Sequence, residues 1–340
     1  MVRVRDQGEL VAAIPAMLGF HPRESLVLMA TGGRSGRRLG LTLRVDLPPP
    51  EHPAYGEHVE LVAASAVRGL LLDDPAGAVV VVLAASTGEP PGLPHPRLAG
   101  LVALSLTERD VDVHTLLWAE STAGGARWAC YDPCGCSGTV PDPSATAFVA
   151  ATVAEGRVVR ADRAELERVV APAETGRIRR REELLIRATC GGSSGGDGDG
   201  DGDGGIVDGA TAGTDLLDAA LADTAQGRLA LPDTRVVELA TALALPEVRD
   251  TALQRSAGPE AVAAEQLWAA LARETPDPEA AVPAALLAVS ALLRGDGALA
   301  NVALERAERA WPGHLFTEVV RAGAEAGLRP AQVREWVCSR

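Results

Sequence analysis

The chain has 340 residues, 47% of them hydrophobic but only 3% aromatic, and a formal net charge of −14. That charge excludes a general nucleic-acid binder, because phosphate contacts need a positive face. All 32 basic residues are arginine, which excludes Schiff-base catalysis and a phosphate-loop lysine.

The length predicts two domains. The opening MVRVRDQGEL lacks the apolar segment of a signal peptide. The longest apolar run, AVVVVLAA (78–85), is far short of the ~18 residues that cross a bilayer. The expectation is a cytoplasmic protein with no membrane association.

The first half reads as alternating helices and strands. GELVAAIPAML (8–18) has helical spacing, and Pro15 is expected to end that helix early. SLVLMA (25–30) and LGLTLRVDL (39–47) read as strands joined by the Gly-rich turn GGRSGRR. HVELVAASAVRGLLLDD (58–74) places Val59, Val62, Ala63, Ala66, Val67 and Leu70 on one helical stripe. AVVVVLAA reads as a central strand covered on both faces. A helix over 97–110 follows, then strands over 111–120 and 126–131. SATAFVAATVAEG (144–156) reads as a helix with Ser144 as N-cap. The predicted fold class is a mixed α/β domain, a mixed sheet with flanking helices.

RIRRREELLIR (177–187) carries five arginines and reads as a solvated helix end balanced by Glu182 and Glu183. CGGSSGGDGDGDGDGG (190–205) then reads as a flexible linker. Within it Asp199, Asp201 and Asp203 imitate the front of a calcium loop, but Ala210 stands where the closing Glu belongs. The domain expectation is therefore 1–188 mixed α/β, 189–212 linker and 213–340 all-helical.

In the last domain, Leu287 and Ala291 lie on one predicted helix. Ala300, Leu304, Ala307 and Pro312 follow on the next, after an RGDG turn. A small residue where two helices approach, and a Pro that ends the second, give a tetratricopeptide-like pair. An ordinary helical bundle fits the same pattern.

Three stretches carry candidate chemistry. GFHPRESLVLM (19–29) offers His21, Glu24 and Ser25, and LRVDLPPP (43–50) puts Arg44 and Asp46 on one strand face. His21, Glu24, Arg44 and Asp46 are the candidate catalytic residues. WACYDPCGCSG (128–138) holds Cys130, Cys134 and Cys136. This is a candidate zinc or redox site, with His21, His95, His114 or Asp132 as the possible fourth ligand. Simple packing of the cysteines is the alternative.

IPAMLGFHPRESLVLM, LRVDLP and WACYDPCGC, together with AEQLWAALAR and LLRGDGALANVALERA, resemble the landmarks of domain-of-unknown-function family 4192. That resemblance implies a soluble cytosolic protein and carries no catalytic residue or cofactor. In the family's pattern two cysteines of the loop are adjacent; here Gly135 separates Cys134 from Cys136.

Three functional expectations follow. The leading one is a non-catalytic ligand-binding or protein-interaction module, with a protein partner on the helical domain. The alternatives are an enzyme with its site near His21 and Asp46, or a zinc- or redox-responsive regulator using the Cys130–Cys136 loop.

Overall fold

A computed structural model describes residues 6–32, 38–85, 92–146, 159–191 and 204–339. The chain divides into two compact units, Met1–Arg163 and Ala164–Arg340. The first is a mixed six-stranded sheet with helices and the second is helical.

The first unit contains α1 (Gln7–Leu18), β1 (Ser25–Gly32), β2 (Arg38–Asp46), α2 (Tyr55–Leu71), β3 (Gly77–Leu83), α3 (Pro96–Thr107), β4 (Asp112–Ala119), β5 (Arg127–Cys130) and β6 (Ser137–Thr139). The sheet order is β2-β1-β3-β4-β5-β6. All neighbours are antiparallel except β3 and β4, which run parallel on either side of the α3 crossover.

Every residue of β3 is buried, as its unbroken Val run requires for a strand covered on both faces. Leu26, Leu28, Val80, Val82 and Trp118 face Val59, Val67 and Leu70 of α2 and Leu98, Val102 and Leu106 of α3 in one core. The helical stripe read from the sequence is the buried face of α2, with Val62 half-buried at its rim.

Helix α1 differs from expectation. It continues through Pro15 and ends at Gly19, which takes a left-handed conformation (φ 79°) and donates to the Pro15 carbonyl. The proline removes one backbone donor, but Leu10 to Ala16 are all buried, and that apolar burial offsets the loss. Ser144 is not a helix N-cap. Asp142 accepts from its N–H and hydroxyl at 2.9 and 2.8 Å, in a single 3₁₀ turn. The rest of the helix expected over 144–156 lies outside the described residues.

The second unit contains α4 (Arg163–Glu167), α5 (Thr175–Gly191), α6 (Gly204–Ala225), α7 (Asp233–Ala244), α8 (Pro246–Ala257), α9 (Ala261–Glu274), α10 (Ala281–Arg294), α11 (Gly297–Ala310), α12 (Leu315–Glu325) and α13 (Pro330–Cys338). Helices α10 and α11 form a pair joined by Gly295 at φ 75°. Leu287, Ala291, Ala300, Leu304 and Ala307 are all buried.

The arginine-rich segment falls in this unit, not in the first as its position before residue 188 suggested. Arg181 is 2% exposed. Its Nε donates to Asp233 at 2.8 Å, Nη1 to the Glu274 carbonyl at 2.7 Å and to the Glu274 carboxylate, and Nη2 to the Leu231 carbonyl at 3.0 Å. Leu185 adds apolar contact with Val237 and Ala240 of α7. Among the described residues, Arg177 pairs with Glu274, Arg180 with Asp233 and Arg179 with the local Glu183, at 4.0 Å. The segment is a largely solvated helix, as read from the sequence, but it is anchored through the buried Arg181 and Leu185. Residues 204–212, assigned to the linker, begin α6; Asp199, Asp201 and Asp203 lie outside the described residues.

Candidate functional site

One edge of the sheet gathers the start of β1 and the ends of β3 and β4, since Ser25 opposes Leu83 and Leu83 opposes Ala119. The carboxyl ends of parallel strands are where open α/β sheets place their ligands. Two of the sequence-predicted stretches, 19–29 and 43–50, meet at this edge, where Ser25 opposes Asp46.

His21 Nδ1 lies 3.0 Å from the Thr122 hydroxyl, just past β4, and its backbone N–H donates to the Arg160 carbonyl at 3.2 Å. Burial, with help from the Arg23 charge, lowers its pKa. Glu24 takes a left-handed φ of 41°, uncommon for a residue with a Cβ. That turn lets its carboxylate accept from the Ala85 N–H beyond β3 at 2.9 Å, while its carbonyl accepts from Leu47 at 2.9 Å. Arg44 forms an ion pair with Asp46 and donates through Nε to the Ser25 hydroxyl at 2.8 Å. Ser25 in turn donates to the Arg23 carbonyl at 2.6 Å.

The four candidate catalytic residues are thus divided. Arg44 and Asp46 share a contact set with Ser25; His21 and Glu24 each make a separate tie to a neighbouring loop. Each of these four side chains has at least one protein partner.

The edge also holds residues that the sequence reading gave no part in it. His95 adopts φ 52° immediately before α3, where Pro96 opens the helix. Its Nδ1 lies 2.7 Å from the Tyr55 hydroxyl at the start of α2. Burial lowers the His95 pKa against the opposing effect of Glu24. The Tyr131 hydroxyl donates to the Pro94 carbonyl, and its N–H donates to the Leu116 carbonyl at 3.0 Å. Burial holds the Tyr131 phenol far above its ordinary range. The only local sequence signal was the His-Pro dipeptide at 95–96; the Tyr55 contact joins residues 40 apart.

Tyr131 also pins one side of the cysteine loop. Residues 131–136 close a hairpin between β5 and β6, whose register pairs Ala129 with Ser137. The Cys130 N–H donates to the Cys136 carbonyl at 2.9 Å. Gly135, at φ 68°, turns the chain where a Cβ would strain the backbone. This geometry brings the sulfur atoms of Cys130, Cys134 and Cys136 within 4.8 Å of one another. Among the described residues, His21, His95, His114 and Asp132 contribute no donor atom to that group.

The Cys136 N–H donates to the Cys134 sulfur at 3.4 Å. Hydrogen bonds from Cys136 lower the Cys134 pKa. Burial, the hydrogen bond to Cys134 and neighbouring negative charge push the Cys130 thiol up to about 12. A cavity of 160 Å³ adjoins the loop, lined by Gly92, Leu93, Cys130, Gly135, Cys136 and Ser137, among others.

The sequence model of the family described as a domain of unknown function, DUF4192, matches residues 8–331, nearly the whole chain. No curated protein and no solved structure matches. Among the described residues, no helix is long and apolar enough to cross a membrane.

Proposed function

The chain belongs to the DUF4192 family, and from that premise we propose that it is a non-catalytic binding protein of the cytoplasm, whose helical unit engages a protein partner. The observation that carries this reading is the exposed apolar surface of α12. Leu315 and Val319, one helical turn apart, are 73% and 38% exposed, while Phe316 and Val320 of the same helix are buried. Trp311, about half exposed, places its ring 4.7 Å from that of His314 at the start of this helix. A contiguous exposed apolar patch is a mark of an interaction site, and Leu315 and Val319 would form its centre here. Their spacing suits the apolar side of a partner helix or strand.

The α10–α11 pair supports a tetratricopeptide-like reading of this unit, with Ala300 and Ala307 as the small contacts and Pro312 beyond the second helix. The ties of His21 to Thr122, Glu24 to the Ala85 N–H and Arg44 to Ser25 and Asp46 suit scaffold roles at this end of the sheet.

The test compares proteins retained by the full chain with those retained by a Leu315→Glu/Val319→Glu variant of equal thermal stability. The reading requires discrete partners lost with the variant. Identical retention removes it.

A further inference from the structure

We infer that the Cys130–Cys136 loop is a three-thiolate binding site for a thiophilic d¹⁰ cation of the zinc(II) class, with its fourth coordination position open to an exogenous donor. This inference stands independently of the partner surface on the helical unit.

The first support is convergence. The three sulfur atoms lie within 4.8 Å of one another. A tetrahedral zinc centre with Zn–S bonds of about 2.3 Å sets its sulfurs about 3.8 Å apart. Closing the group therefore takes a movement of about 1 Å, within the reach of a χ1 adjustment.

The second support is preorganisation. Cys130 ends a paired strand, its N–H is tied to the Cys136 carbonyl, and Tyr131 is anchored on both β4 and the segment before α3. The ordering cost that a floppy loop would meet on binding is already met by the fold. The Cys136 N–H directed at the Cys134 sulfur adds a donor that stabilises thiolate charge.

The third support is the ligand type. Thiolates select zinc(II), copper(I) and similar ions over magnesium or calcium, which prefer oxygen. Closed structural zinc sites use four protein ligands, whereas three protein ligands leave a position for water or another donor. Among the described residues no carboxylate or imidazole joins the three sulfurs. The adjoining cavity, bordered by Cys130 and Cys136 and by the backbone of Gly92 and Gly135, gives such a donor access. A thiolate, an imidazole or water fits that position by size and donor character.

The experiment titrates the reduced full chain with cobalt(II) as a spectroscopic substitute for zinc(II), then displaces it with zinc(II). The expected result is one ion per chain, with a thiolate-to-cobalt charge-transfer band and the intense visible bands of four-coordinate cobalt. Cys130→Ser, Cys134→Ser and Cys136→Ser should each weaken binding about 10-fold or more, while Cys338→Ser leaves it unchanged. Because Cys134 and Cys136 are exposed, their variants should keep the wild-type circular dichroism and melting temperature, which separates lost binding from lost folding. Adding imidazole or cyanide should shift the visible bands. No thiolate band, or serine variants that bind like the wild type, overturns the site. A thiolate band insensitive to both added donors overturns the open position.

Discussion

Replacing Arg181 by alanine should destabilise the helical unit more than any other single arginine change. The guanidinium is 2% exposed and its donors reach two carboxylates and two backbone carbonyls. Truncation leaves the Glu274 carboxylate, 17% exposed, and the Leu231 carbonyl without that partner. Breaking a buried ion pair from one side typically costs about 3–5 kcal/mol. Asp233 is one-third exposed, and Arg177 and Arg180 still touch Glu274 and Asp233, so the lower end, about 3 kcal/mol, is expected. For a unit of this size that corresponds to a fall in melting temperature of roughly 6–12 °C. The assay is thermal and urea unfolding of the full chain, followed by far-ultraviolet circular dichroism. Arg181 also holds the Asp233 pKa below its ordinary value. Stability from that carboxylate is present above its unfolded pKa and lost as pH falls through the folded one, so the gap between wild type and variant should narrow in acid. A loss below about 1 kcal/mol would refute the anchoring role, because that is the scale of an exposed pair.

Three further outcomes can be checked with the same assay. Burial lowers the pKa values of His21, His95 and His314; each unfolded side chain therefore takes up its proton first, and stability should decline as pH drops below 6.5. Single His→Gln changes should flatten that decline, and a melting temperature rising between pH 7.5 and 5.5 would contradict it. Gly77→Ala would set its Cβ 2.3 Å from His114 Nε2 and 2.9 Å from the Asp112 carbonyl, so a cost of about 1–3 kcal/mol is expected; an unchanged urea midpoint would count against the packing described for β3. Trp268→Phe removes a fully buried indole whose Nε1 donates to the Ser256 hydroxyl at 2.9 Å, and should lower stability by about 1–3 kcal/mol; a neutral result would show that the hydroxyl finds another donor.

Local pattern was enough for much of the sheet. The unbroken Val79–Val82 run identifies a strand covered on both faces, and the spacing from Val59 to Leu70 gives the buried side of α2. What escaped depends on distant partners. Arg181 sits in a run of charges that looks solvated, and its ligands lie 52 and 93 residues away at Asp233 and Glu274. Hence the segment's place in the second unit was not visible from residues 177–187. Pro15 carries a strong helix-breaking signal locally, but the burial surrounding it is tertiary. The cysteine spacing pointed to a site; the convergence of its sulfurs depends on β6, three exposed residues, Ser-Gly-Thr, with no strand pattern of their own. The His95–Tyr55 contact likewise joins two helix starts that no single window contains.

Engagement of a protein partner by the helical unit can be read by photo-crosslinking inside the producing cell. A photoreactive residue would be placed at position 315, at position 319 and, as a control on the first unit, at the exposed Leu61 (67%). A docking face on α12 yields adducts of the same discrete mass from 315 and 319 and none of that mass from 61. Absence of adducts from both α12 positions, or the same adducts from all three, would contradict it.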